Sequence, residues 1–257
     1  MLKKRLVGMV IVKNGWAVQS FGYNRYLPLG KPECLVENLD RWGVDEICLL
    51  CIDRSTSGLG PDFKLLEKIG QLGLETPLIY GGGIRTVDDS VVAIRLGADR
   101  VCVDALMHDD LKMVKSISER LGAQAVIGVL PISWSDSGIK WKNYRNKESC
   151  LISEQELVKK SETVSEFLLI DWKNEGLPNS FDDRIVVDFP DIDVPLIVFG
   201  GLSEHEQMQA VLKEKQVAAI AVGNFLNYKE HSVQNFKKSL NSMSLRLADY
   251  ETKYTLL

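Results

Sequence analysis

PLIYGGGIRTVDDSVVAIRLGADRVCVDA, residues 77–105, reads as a strand, a glycine turn, a helix and a second strand. Leu78, Ile79 and Tyr80 lead directly into Gly81, Gly82 and Gly83. Glycine inside a regular element costs about 1 kcal/mol relative to alanine, so a run of glycines marks a place where the backbone must approach something closely. The same order of parts recurs at residues 195–223, PLIVFGGLSEHEQMQAVLKEKQVAAIAVG. There Gly200 and Gly201 stand where Gly82 and Gly83 stand, and Ala105 and Gly223 each fall 23 residues after the first glycine of their pair. DEICLLCIDRS, around Glu46, and SEFLLIDWKN, around Glu166, echo each other too. The chain therefore reads as two similar halves.

Outward from these segments, short β-branched runs alternate with amphipathic ones. The runs are residues 5–12, 46–52, 77–81, 100–105, 124–130, 166–171, 195–199 and 217–222. Helical patterns lie at roughly 33–42, 62–72, 87–97, 109–121, 153–164, 182–189, 204–215 and 229–241. In 109–121 the apolar residues Leu111, Met113, Val114, Ile117 and Leu121 keep helical spacing. Apolar strands alternating with helices imply a parallel sheet covered by helices. Eight repeats in 257 residues fit an α/β fold of the closed (β/α)8 TIM-barrel type, built from two half-barrels, with residues 1–257 as a single domain.

Composition narrows the function. The formal net charge is −4 and acidic and basic residues are interspersed, which argues against a nucleic-acid surface. No apolar run reaches the ~18 residues of a membrane span, and the apolar N-terminal run leads into Lys13 and Asn14 without a small-residue cleavage site, so a first strand is expected there rather than a signal peptide. Cys34, Cys48, Cys51, Cys102 and Cys150 are irregularly spaced and suit reduced thiols in a cytoplasmic protein. Cys48 and Cys51 would face opposite sides of a strand. The histidines His108, His205 and His231 fall in helical turns away from strand ends, with no ligand spacing, so neither a metal nor another cofactor is expected.

In such barrels chemistry sits where strands end and loops begin. Glycine there lets backbone N–H groups approach a phosphate, and each glycine pair precedes a helix whose N-terminus adds positive charge. Thr86 with Asp89, and Ser203 with Glu206, have capping-box spacing. Tight packing of the turn is the competing explanation for each pair. Two matched pairs favour a two-phosphate site for a small phosphorylated substrate.

Those turns, together with KRLV…VKNG, GVDEICLLCID, PLIYGGGIRT, LGADRVCVDA, GAQAV and PLIVFGGLSE, resemble the cyclase subunit of imidazole glycerol phosphate synthase and its barrel relatives, from Met1 to about Leu240. The resemblance implies a phosphate site in each half, with Gly82, Gly83, Gly200, Gly201, Gly223, Asn224 and Gly176 as candidate ligands. It also implies a separate glutaminase subunit docked at the N-terminal barrel face, whose ammonia crosses the barrel past a charged gate matched here by Arg5, Glu46, Arg100 and Glu166. Asp99 and Gln124 match as well. Inward charges that merely satisfy one another are the alternative at the gate.

The resemblance breaks at the cyclase chemistry. The family's two aspartates, at the ends of strands 1 and 5, correspond to Ile11 and Pro131, neither of which can move a proton. Gln19 stands for a lysine, Cys51 for an acid, and Ala105 and Phe199 for phosphate-binding hydroxyls. Candidate replacements are Asp104 first, then Asp53 beside Arg54, Asp171 and Lys13. Trp16, Tyr23, Tyr26, Trp134, Trp141 and Trp172 could stack on a substrate or simply pack loops. Residues 132–149 suit a hairpin or flap over the mouth, with lysines and arginines that read as solvated charge.

What the resemblance implies is a synthase subunit that uses ammonia from its glutaminase to modify a phosphorylated or nucleotide-linked sugar, as in surface-polysaccharide biosynthesis. The alternatives are a non-catalytic ammonia-channelling scaffold and a genuine cyclase of histidine biosynthesis.

Overall fold

In the computed structural model, which describes residues 3–227, 232–240 and 245, the first half runs β1 (Arg5–Lys13), β2 (Trp16–Phe21), β3 (Arg25–Gly30), α1 (Pro32–Trp42), β4 (Glu46–Cys51), α2 (Asp53–Thr56), α3 (Phe63–Gly70), β5 (Leu78–Gly81), α4 (Val87–Arg95), β6 (Arg100–Val103), α5 (Ala105–Asp109) and α6 (Leu111–Leu121). The second half runs β7 (Val126–Ser133), β8 (Lys140–Lys142), β9 (Ser149–Leu151), α7 (Glu154–Ser161), β10 (Glu166–Asp171), α8 (Arg184–Val187), β11 (Leu196–Phe199), α9 (His205–Lys213), β12 (Val217–Val222) and α10 (Ser232–Ser239). Strands β1, β4, β5, β6, β7, β10, β11 and β12 pair in parallel in that order, and β12 returns to β1. The eight apolar runs of the sequence are these strands, closed into the expected α/β barrel.

Side chains alternate across each strand. Met9, Ile11, Cys48, Leu50, Ile79, Cys102, Ile127, Val129, Leu168, Ile170, Ile197 and Phe199 fill the lumen. Val10, Val12, Leu49, Cys51, Val103, Leu169 and Val198 face the helices. Cys48 points in and Cys51 points out, as their spacing requires. Both faces of these strands are buried, which is why they read as continuous apolar runs rather than as alternation.

Local chemistry sets the helix ends. Thr86 and Asp89 form the expected capping box on α4. The matching cap on α9 is absent: the Ser203 hydroxyl accepts from the Asn179 N–H at 2.8 Å, and Glu204 takes the N-cap position without a side-chain bond. The helix expected at 109–121 is broken at Asp110, whose carboxylate caps α6 by accepting from Met113 N–H, so α5 precedes it. The helix expected at 229–241 is described from Ser232 to Ser239, and His231 lies outside the described residues.

Two hairpins rise from the rim at corresponding places in the two halves. After β1, Asn14 and Gly15 both adopt positive φ, 51° and 77°, and turn the chain into the antiparallel β2–β3 pair. After β7, β8 and β9 pair antiparallel, which is the hairpin expected over 132–149.

Candidate active site at the C-terminal rim

The C-terminal ends of β4, β5 and β6, the turn between β2 and β3, and residues 142–147 of the second hairpin surround a cavity of about 860 Å³. Gly81, Gly82 and Gly83 form part of its wall, with Ser55, Thr56 and Ala105 beside them. Gly82 and Gly83 have φ of 128° and 77°. A Cβ on them would lie 2.4 Å from the Cys51 carbonyl oxygen and 2.6 Å from the Gly60 backbone. Packing therefore demands glycine here whatever the function. At the second pair a Cβ would lie 2.5 Å from the Asp171 carbonyl oxygen and 2.6 Å from the Phe181 amide nitrogen.

The space in front of the two pairs differs. Gly82 and Gly83 face the large cavity. Gly200 and Gly201, with Gly176, Gly223 and Asn224, border a remnant of about 10 Å³ that also contacts the Phe199 ring. Asn224 spends its side-chain amide on the Ser20 carbonyl at 2.8 Å. Glu175, buried beside this remnant, accepts from the Ser20 hydroxyl at 2.9 Å, and burial pushes its carboxyl up. The hairpin β2–β3 is thus tied down over the second half's turn.

Asp104, at the end of β6, lines the large cavity. Burial away from bulk solvent pushes its carboxyl up to about 7, against the opposing pull of Arg145, with Asp109 adding to the rise. Both protonation states are populated near neutrality, as a general acid–base group needs. His108, one turn into α5, also lines the cavity, contrary to its expected place away from strand ends. It stacks on Trp141 with ring centroids 3.7 Å apart, and burial, with Arg145 and Lys160 nearby, lowers it to about 4. It is neutral at physiological pH.

The charged residues of the wall are mostly cationic: Lys13, Lys142, Arg145, Lys147 and Lys173 line it, against Asp53 and Asp104. Lys13 sits 3.6 Å over the Tyr26 ring and Lys142 3.3 Å over the Trp172 ring, cation–π contacts that hold them in place. The hairpin's lysines and arginine were expected to be free in solvent. The structure brings Lys142, Arg145 and Lys147 to the cavity instead, with Arg145 latched to Asp109 by two charged hydrogen bonds. Tyr23 Oη, Tyr144 Oη, His108 Nε2 and Trp172 Nε1 are buried and make no hydrogen bond among the described residues, and all four residues line this cavity. Buried polar atoms without partners cost about 1–3 kcal/mol each, which a polar ligand reaching them would relieve.

Of the other candidates, Asp53 accepts from the Asn14 N–H at 2.9 Å and faces the cavity. Asp171 is 1% exposed and lies on the closed side. It accepts from Asn174 Nδ2 at 2.7 Å and from the Asp182 N–H at 3.1 Å, while burial raises its carboxyl. Trp16 is exposed, Trp141 is buried in the outer core, and the Trp134 indole donates to Asp188. His205 pairs with Glu206 at the surface.

At the opposite rim Arg5, Glu46, Arg100 and Glu166 begin β1, β4, β6 and β10. Arg5 pairs with Glu46 at 2.8 Å and with Glu166. Arg100 pairs with Glu46 at 3.3 Å and Glu166 at 2.6 Å. The four alternate in sign around a closed ring that turns inward, with side chains 8–14% exposed. Gln124 supplies its backbone carbonyl to Arg100 at 3.1 Å, whereas Asp99 accepts from the Leu78 N–H and stands outside the ring. Among the described residues, no helix is long and apolar enough to cross a membrane.

Residues 5–232 match the family model described as histidine biosynthesis protein. A Vibrio vulnificus (strain YJ016) chain, provisionally named imidazole glycerol phosphate synthase subunit hisF2, is 26% identical over 250 residues, 96% of this chain and 92% of that one. The imidazole glycerol phosphate synthase subunit HisF of Natranaerobius thermophilus is 26% identical over 250 residues, 96% and 99% of the two chains. That of Thermococcus gammatolerans is 27% identical over 243 residues, 93% and 96%.

Proposed function

Because the chain belongs to the histidine biosynthesis protein family, we propose that it is the barrel subunit of a glutamine-dependent synthase of the imidazole glycerol phosphate synthase type. The observation that carries this reading is the placement of two features at opposite ends of one lumen: an open cavity holding Asp104 and the Gly82–Gly83 turn, and the ring of Arg5, Glu46, Arg100 and Glu166. A small phosphorylated substrate rests its phosphate on the Gly82–Gly83 turn, near the N-terminus of α4. A HisH-like glutaminase docks at the N-terminal face and releases ammonia there. The lumen between is apolar, so the travelling species is neutral ammonia; an unpaired ammonium would pay a large desolvation cost. Passage requires one ion pair of the ring to open.

At the far end the Asp104 carboxylate takes a proton from the nitrogen as it bonds to an electrophilic carbon. The acid form returns that proton to the departing oxygen. Lys13 and Asp53 hold the rim on the side of β1 and β4, and the cationic hairpin covers the substrate. Asp171, tied to Asn174 and Asp182, shapes the closed side.

A second reading is imidazole glycerol phosphate cyclisation itself, which the names of the relatives favour. It requires Asp104 to replace the acids missing at Ile11 and Pro131, both buried. A surface-polysaccharide role draws support from the replaced residues alone, and the relatives' names point to histidine biosynthesis instead. The test is to mix the chain with a HisH-type glutaminase and follow glutamine hydrolysis and acceptor mass, offering the imidazole precursor and phosphorylated or nucleotide-linked sugars in turn. Modification of a phosphorylated acceptor is expected. Glutamine hydrolysis with every acceptor unchanged would leave a scaffold and overturn the enzymatic reading.

A further inference from the structure

We propose that Phe199 is a specificity-determining residue that shuts the second glycine cradle, so that the substrate carries one phosphate, at its Gly82–Gly83 end. This rests on the reading of the Gly82–Gly83 turn as a phosphate site. The two halves repeat the same strand, glycine pair and helix, yet among the described residues only the Gly82–Gly83 turn faces usable space. Phe199 ends β11, directly before Gly200, and is 4% exposed. Its ring occupies the lumen end, comes within 3.5 Å of where a Cβ on Gly223 would stand, and leaves about 10 Å³ beside Gly200 and Gly201. That volume admits about one water and not a phosphate. The equivalent residue before the first pair is Gly81, which has no side chain to project, and the cavity in front of it measures about 860 Å³.

Backbone contacts reinforce the closure. Asn224 is committed to Ser20, and a Cβ on Gly176 would stand 2.1 Å from the Ser20 carbonyl oxygen. The segment of β2 that carries Ser20 therefore presses on the second turn from above.

Elsewhere the wall of the same cavity carries a different chemistry. Tyr23 Oη, Tyr144 Oη and Trp172 Nε1 are buried there without partners among the described residues. Phenol and indole donors without an amide nest suit hydroxyl or carbonyl oxygens, as on a sugar ring. The ligand class is thus a monophosphorylated, hydroxyl-bearing compound.

Equilibrium dialysis of the full chain against labelled inorganic phosphate counts the cradles. The wild type is expected to bind one phosphate, and F199A and F199S two, while F199W stays at one. Circular dichroism and thermal melting confirm that each variant is folded. Two phosphates on the wild type would overturn both the closure by Phe199 and the count of one, and one on both folded small-residue variants would overturn the role of Phe199; neither result touches the Gly82–Gly83 reading. None on the wild type would overturn the Gly82–Gly83 reading beneath it, and the count of one with it. For the polar end, ribose 5-phosphate should displace the label, and Y144F should weaken ribose 5-phosphate about fivefold with inorganic phosphate unaffected. Equal weakening of both would contradict the assignment of Tyr144 to the sugar end.

Discussion

Replacing Asp104 by Asn should stabilise the protein increasingly as pH rises, while abolishing acceptor modification. The folded-state pKa of Asp104 is raised from 3.8 to about 7. A carboxyl whose folded pKa is raised binds its proton more tightly when folded, so it imposes no cost below pH ~4 and an increasing cost as pH climbs to about 7. One unit is worth about 1.4 kcal/mol, which gives a cost of about 1.6 kcal/mol at pH 5 and at most about 4 kcal/mol above pH 8. Solvent entering the cavity reduces both figures. The Asn variant escapes this cost, so its advantage should grow by up to about 2.5 kcal/mol between pH 5 and pH 8. For a chain of this size that is roughly 5–10 °C in melting temperature. Differential scanning fluorimetry of both proteins in matched buffers measures it, and any fixed penalty of the amide cancels in the slope. A difference in melting temperature that stays flat across this range would refute the placement of a strained, protonatable carboxyl at the cavity wall. A gain in stability paired with lost turnover is the usual signature of a group kept for chemistry.

Other outcomes follow from the same geometry. R5A leaves Glu46 and Glu166 with Arg100 as their sole cation in the ring, so chemical denaturation should show a loss of about 3–5 kcal/mol. R145A removes a partly exposed latch to Asp109, so stability should change by under about 1 kcal/mol, whereas KM for the phosphorylated substrate should rise with the lost wall cation. G176A forces a side chain against the Ser20 carbonyl at a φ of 82° and should cost at least about 2 kcal/mol in urea titration. K237M strands Asp45 from a buried 2.9 Å pair and should cost about 3–5 kcal/mol, with the double variant carrying D45N recovering part of it.

Much of the barrel was legible because burial on two faces writes each strand as an unbroken apolar run. The hairpin β2–β3 has its own sequence signal: Asn14–Gly15 before the alternating WAVQSF is the dipeptide that favours a tight two-residue turn. Ala105–Asp109 is too short to show helical period, so α5 and the cavity position of His108 stayed hidden. Asp104 could be found because it ends a strand. The difference between the two glycine pairs could not, since Phe199 looks like any buried aromatic until the ring's direction is known. Tyr144 and Lys142 were equally opaque, because a polar hairpin reads the same whether it folds over a cavity or stands in solvent.

The most direct test of ammonia passing from ring to cavity is an isotope experiment. The chain in complex with its glutaminase is given glutamine labelled with nitrogen-15 in the side-chain amide, an excess of unlabelled ammonium, and a phosphorylated acceptor that the complex modifies. Mass spectrometry of the product should show the amide label nearly undiluted with the wild type, and no product with D104N although glutamine is still consumed. Label diluted to the ratio of the bulk ammonium would contradict internal passage.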